Sequence, residues 1–159
     1  MNIALSTDKD YALSVLLQQT SDAILKMWDK ELSRYGITSV EAAVLFIIRS
    51  IGERVIPAEI SRWLFRRQHS VSALLDRMER KGLITKTKDL DRKNLVRVRL
   101  TEKGEQAYDN SLSRESIYRA MSALSGEERR LLSSYLRRLR DRALEGLRIE
   151  HELPYPPQA

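Results

Sequence analysis

Cysteine is absent from all 159 residues. That excludes disulfides, thiolate metal ligands and any switch based on thiol oxidation, and it fits a cytoplasmic protein. Histidine is nearly absent as well: His69 and His151 lie far apart and in no metal-ligand spacing. No apolar run approaches the roughly 20 residues that a membrane span needs, so no membrane partner is expected. The start, MNIALSTDKDYAL, has no basic stretch followed by an apolar one, so no signal peptide is read. No nucleophile stands with a matching base, and no acid–base pair can be assembled. The expectation is therefore no catalytic residue, no metal, no cofactor and no enzyme.

What is present is positive charge, and it is localised. The chain carries 28 Lys+Arg against 22 Asp+Glu, a net charge of +6. Between Arg62 and Lys103 stand thirteen cations against five acids, whereas the remainder has fifteen against seventeen. A basic face confined to one segment of an otherwise near-neutral chain is the expected footprint of a polyanion partner.

The hydrophobic pattern divides the chain into helices around one hairpin. Residues 8 to 35 read as one long helix, with Tyr11, Val15, Leu16, Ile24, Leu25, Trp28, Leu32 and Tyr35 at helical spacing and Gly36 as its stop. Its length suggests that part of it packs against something outside its own core. TSVE, from Thr38 to Glu41, fits a capping box, and the AAVLFII behind it is apolar nearly all round, as a buried central helix should be. Pro57 suits the first turn of a short helix. Arg66 and Arg67 fill a tight connection to a second helix, from about Gln68 to Lys81, whose stripe is Val71, Leu74, Leu75 and Met78 and which Gly82 closes. Two short helices joined this tightly make a helix-turn-helix. Leu83 to Lys88 and Leu95 to Leu100 then read as hairpin strands around DLDRKN. Alternation turns Val96, Val98 and Leu100 inward and Arg97 and Arg99 outward. Thr101 caps a helix expected to run to about Ser122. Ser125 and Glu128 form a second capping box before an amphipathic helix with Leu131, Leu132, Tyr135, Leu136, Leu139, Ala143 and Leu147 expected inside. The tail HELPYPPQA, with three prolines, reads as extended. The fold class is thus mainly α with a small β-hairpin, in a single structural domain.

LLDRMERKGLI, the charged loop DLDRK and VRVRLTEKG together resemble the MarR (multiple antibiotic resistance regulator) family of winged helix-turn-helix repressors. The match is close from Ile56 to Gly104, and the flanking helices agree in order and length. The resemblance implies a winged DNA-binding lobe over residues 37–104, with residues 8–36 and 101–153 forming the dimerisation region. It further implies a homodimeric transcription regulator that occupies a palindromic operator in double-stranded DNA. The second helix would enter the major groove, where each base pair presents a distinct hydrogen-bond pattern. Its DNA-facing residues would be Arg66, Arg67, Gln68, His69, Ser70, Ser72, Ala73 and Arg77: Gln68 and His69 for base edges, the serines for base or phosphate, Arg77 for phosphate. The hairpin becomes a wing. Arg92 at its tip is the candidate for a narrow minor groove, where negative potential is enhanced, with Asp91 implied to hold it by a short ion pair. Lys86, Lys88, Lys93, Arg97 and Arg99 would neutralise phosphates. The sequence departs from the family pattern in two places: the wing carries Asp-Arg-Lys where Asp-Arg-Arg is usual, and a good helix cap is missing before Gln68.

The family dimerises through its first and last two helices, which assigns Tyr11, Val15, Leu16, Leu131, Leu132, Tyr135, Leu139 and Leu147 to a dimer interface. Many members bind small aromatic effectors between the dimer helices and the DNA-binding lobe. Met27, Trp28, Tyr35, Phe46 and Trp63 are the bulky candidates here. The competing reading is a winged-helix protein-docking module without specific DNA binding. Such modules usually lack the wing cations and the polar helix face that this sequence keeps.

Overall fold

The computed structural model describes residues 8–92, 94–149 and 153–154. The order is α1 (Lys9–Leu32), a short 3-10 turn (Ser33–Tyr35), α2 (Ser39–Ile51), α3 (Pro57–Leu64), α4 (Gln68–Arg80), β1 (Ile84–Lys88), β2 (Val96–Leu100), α5 (Glu102–Ser111), α6 (Glu115–Met121) and α7 (Gly126–Gly146). Both predicted capping boxes form. Thr38 N–H donates to Glu41 Oε2 at 3.0 Å while Glu41 N–H donates to Thr38 Oγ1 at 3.3 Å. Ser125 and Glu128 repeat the exchange at 2.7 and 3.2 Å. Gly36 is left-handed, with φ of 70°, and stops the first helix as expected.

The core lies around α2. Val44 and Leu45 are fully buried, joined by Leu32 from α1, Ile60 from α3, Val71, Leu75 and Met78 from α4, and Val98 from β2. Each such side chain contributes roughly 1.5–3 kcal/mol by leaving water, which makes this cluster the main stabiliser of the lobe. β1 and β2 pair antiparallel with Ile84 opposite Leu100 and Lys88 opposite Val96. The free edge of β2 is met by the α2–α3 connection, where Val98 N–H donates to the Val55 carbonyl at 3.1 Å. The hairpin is thus anchored on both sides of β2.

Two expectations are corrected. The helix starting at Thr101 does not reach Ser122: it breaks after Ser111, and α6 begins at Glu115 behind Arg114, which is left-handed at φ 48°. The cause is Glu31 near the end of α1. Its Oε1 accepts from Ser113 Oγ (2.7 Å) and Glu115 N–H (3.1 Å), and its Oε2 accepts from Ser116 N–H (2.8 Å) and Ser116 Oγ. A carboxylate from another helix satisfies the amides that would otherwise be unpaired at a new helix start. The stripe of α7 is also not inside. Leu131, Leu132, Tyr135, Leu136, Leu139 and Leu147 are exposed in the single chain, and the buried residue of α7 is Leu144, one position beyond the predicted Ala143.

Candidate nucleic-acid interface

α4 forms because Val71, Leu74, Leu75 and Met78 recur at helical spacing, and all four are buried. Burying that stripe forces Gln68, His69, Ser70, Ser72 and Ala73 into solvent, and all five are exposed. No side chain caps its start, in keeping with the missing cap noted in the sequence: Arg67 stands at the N-cap position without a cap hydrogen bond. The end is closed more firmly. Gly82 is left-handed, Gly82 N–H donates to the Glu79 carbonyl at 2.9 Å, and Leu83 N–H reaches the Met78 carbonyl at 3.0 Å. That is the Schellman pattern. The turn between α3 and α4 runs Phe65-Arg66-Arg67, with Phe65 left-handed at φ 52° and Ser61 Oγ donating to the Arg66 carbonyl at 3.0 Å. Arg66 and Arg67 are thereby presented at the exposed end of α4.

A buried acid holds the other end of α4 in place. Glu41 is fully buried, and its carboxylate accepts from Lys81 Nζ at 2.8 Å and Arg77 Nε at 3.5 Å. Burial pushes this carboxyl up, but the Lys81 and Thr38 hydrogen bonds, the Lys81 charge and Arg77 outweigh it and hold it below the usual range. Lys81 also donates to the Gly36 carbonyl at 3.1 Å, which ties the α1–α2 corner to the C-terminal end of α4. Arg77, expected on phosphate, is therefore tethered at its Nε, although half of its side chain stays exposed.

The wing differs from expectation in its polar contacts. Lys86 is engaged with Asp76 and, at 3.2 Å, with Glu79. Those hydrogen bonds and charges, led by Asp76, raise its pKa despite desolvation. This cation ties β1 to α4, because both acids lie on the helix side facing it. Arg97 does not point freely outward: it donates to Asp89 Oδ2 from Nε and Nη2, each at 3.0 Å, and from Nη1 to the Arg54 carbonyl. Asp91 forms no ion pair with Arg92, so the holding role implied for it is not filled. Asp89 is the acid that binds the loop, with Oδ1 accepting Asp91 N–H at 2.9 Å and Arg92 N–H at 3.2 Å. Lys88, Arg92 and Arg99 are exposed, and Lys93 lies outside the described residues.

The aromatic candidates do not all converge. Phe46 and Trp63 meet edge to face at 6.4 Å, and the Arg114 guanidinium lies 5.7 Å from the Phe46 ring centre. Met27 and Tyr35 are exposed. The Trp28 indole N–H is buried and donates to no acceptor among the described residues. A groove of about 640 Å³ runs along α7, lined by Leu17, Met121, Leu132, Leu136, Leu139 and Ala143.

Residues 37–104 match the winged helix DNA-binding domain family. Over 126 residues the chain is 26% identical to the HTH-type transcriptional repressor MdtR of Bacillus subtilis (strain 168), covering 78% of each protein. The organohalide-sensing transcriptional regulator RdhR-CbdbA1625, solved in a 2,4-dichlorophenol-bound form, superposes with a TM-score of 0.90 at 29% identity. That match covers 100% of this chain and 95% of the other. MarR from E. coli, solved with operator DNA, shares the fold at a TM-score of 0.75 and 21% identity, over 80% of this chain and 93% of that one. With a helix-turn-helix, an anchored wing and flanking helices in this order, the chain carries a winged helix DNA-binding domain over residues 37–104 and shares its overall fold with transcriptional regulators of the MarR type.

Proposed function

We propose that the protein is a homodimeric repressor that occupies a palindromic operator and is released by a small aromatic effector. The observation that carries the DNA-facing part is the exposed polar face of α4, from Gln68 to Ala73, standing beside a wing whose tip presents Arg92. α4 enters the major groove, with Gln68 and His69 on base edges and Ser70 and Ser72 on bases or phosphates. Arg92 enters the adjacent minor groove, while Arg66, Arg67, Lys88 and Arg99 meet phosphates. The exposed apolar faces of α1 and α7 support a two-fold dimer, which places the two α4 helices about one DNA turn apart and half-site centres roughly 10 base pairs apart. The effector reading is supported by the buried, unpaired Trp28 N–H, a donor suited to a phenolic oxygen, and by the chlorophenol bound to the RdhR-CbdbA1625 regulator.

The test is fluorescence anisotropy with the DNA upstream of the protein's own gene and a scrambled duplex, across salt, with Arg92→Ala and with added 2,4-dichlorophenol. Preference for the upstream duplex by about a hundredfold or more, within the specificity range of such regulators, and weakening at Arg92→Ala are expected. Release by the phenol is expected as well. Equal weak binding to both duplexes would sink the repressor reading and favour a docking module. Specific binding untouched by the phenol would remove only the effector.

A further inference from the structure

The wing contains a puzzle of sign. Two acids, Asp89 and Asp91, sit in a hairpin whose other charges are cationic, and an acid beside phosphates works against binding. Asp91 is exposed and forms no ion pair with Arg92, but Asp89 is largely buried, with 16% of its side chain exposed. Both of its oxygens are committed. Oδ1 accepts the Asp91 and Arg92 amides, the pattern of an Asx turn, and Oδ2 accepts the Arg97 guanidinium. Arg97 is itself fastened to the Arg54 carbonyl, outside the hairpin. The loop is closed again by backbone, Asp89 N–H to the Leu95 carbonyl and Leu95 N–H to the Arg92 carbonyl, each at 2.8 Å. An unbroken series of hydrogen bonds therefore runs from the α2–α3 connection through Arg97 and Asp89 to the amide of Arg92. One visible consequence is that the chain bulges outward at Leu90, which is 98% exposed.

We propose that Asp89 is the positioning residue of the wing: clamped by Arg97, its carboxylate fixes the backbone that presents Arg92 to DNA. The proposal rests on the DNA-binding reading above. It removes Arg97 from the set of phosphate contacts, because its charge is spent inside the protein. It also gives Asp89 a reason to be acidic in a basic wing. A neutral side chain could accept the two amides, but only a carboxylate does so while also holding a guanidinium. Ordering the tip before binding spares the complex the conformational entropy it would otherwise lose in fixing those residues.

Charge and position predict opposite signs, and this decides the test. Asp89→Ala and Asp89→Asn both make the protein more positive, so electrostatics alone tightens binding to any duplex. Anisotropy with the upstream and scrambled duplexes across salt should compare wild type, both Asp89 variants, Arg92→Ala and the Asp89→Ala/Arg92→Ala double variant. We expect Asp89→Ala to weaken the upstream duplex about tenfold, with the scrambled duplex unchanged or tighter. Asp89→Asn should fall between, since it keeps an acceptor for the amides while releasing Arg97. The double variant should bind no more weakly than Arg92→Ala alone. Tightening on both duplexes, or fully additive losses, would overturn the proposal. Amide hydrogen exchange without DNA is the second readout: protection at Asp91 and Arg92 should be lost in Asp89→Ala, and unchanged protection would overturn the clamp. That readout also separates the two claims, because a wild type indifferent to DNA sequence sinks the regulator reading and leaves the clamp to be judged by exchange.

Discussion

Gly104 ends the motif LTEKG, and its reason lies in another segment. A Cβ built on it would stand 2.0 Å from the Leu83 carbonyl oxygen, far inside contact distance with a backbone atom that cannot move aside. The same carbonyl accepts Thr101 N–H at 3.1 Å, so the first turn of α5 is pressed onto the chain leaving α4. Gly104→Ala should therefore destabilise by at least about 2–3 kcal/mol, read as a lower melting temperature. Gly126, which has nothing within 4 Å of its would-be Cβ, is the control and should tolerate alanine. The motif was visible in the sequence, but the approach of Leu83 was not. Side-chain pairing was harder still to read. Thirteen cations between Arg62 and Lys103 are chemically alike, and only their positions relative to Asp76, Glu41 and Asp89 distinguish tethered Lys86, Lys81 and Arg97 from exposed Lys88 and Arg99.

At the scale of elements, Glu31 decides where α5 ends and α6 begins. Nothing in LSRE, from Leu112 to Glu115, breaks a helix by composition, so periodicity alone carried the helix through to Ser122. The acceptor that makes a break favourable lies more than eighty positions earlier. Burial pushes the Glu31 carboxyl up, but the hydroxyl bonds from Ser116 and Ser113 and the amide bonds from Ser116 and Glu115 prevail, bringing it from 4.5 to about 2. With the folded value below the unfolded one, the unfolded chain takes up the proton first as pH falls. The Glu31 contribution is thus complete above about pH 4.5 and fades as pH drops toward 2. Urea unfolding at several pH values should show this slope in the wild type and a flatter one in Glu31→Gln. The glutamine amide can accept at only one of its two ends, so two of the four donors lose their partner. A loss of about 1–3 kcal/mol at neutral pH is expected.

Across the whole molecule, the apolar surface is unevenly placed. Leu13, Leu16 and Leu17 on α1 and Leu131, Tyr135, Leu136 and Leu139 on α7 are exposed in the single chain, whereas the lobe around α2 encloses its core. Patches of this kind mark interaction surfaces, and the two-fold dimer proposed above would cover them. Leu139→Glu, near the middle of α7 and lining its groove, should shift the protein toward monomer in sedimentation velocity and lower DNA affinity with it, since each monomer reaches one half-site. A dimer that survives Leu139→Glu with unchanged dissociation would place the interface elsewhere.

The sequence by itself determined what depends on near neighbours. Helix starts at Thr38 and Ser125, the left-handed stop at Gly82, the buried stripe of α4 and the existence of the hairpin all follow from caps, turns and periodicity within a few residues. The location of positive charge was equally plain, and with the Lys-Gly-Leu-Ile and Leu-Thr-x-x-Gly signals it pointed to the winged fold. Tertiary structure alone decided which acid holds which cation, why α6 is separate from α5, and which apolar stripe stays uncovered. The physical reason is common to all three. A hydrogen bond or ion pair has the same chemistry whichever of several donors makes it, and helical periodicity marks an apolar face without saying what covers it. Only the packing of distant segments selects Asp89 rather than Asp91, Glu31 rather than solvent, and leaves α7 open where α2 is closed.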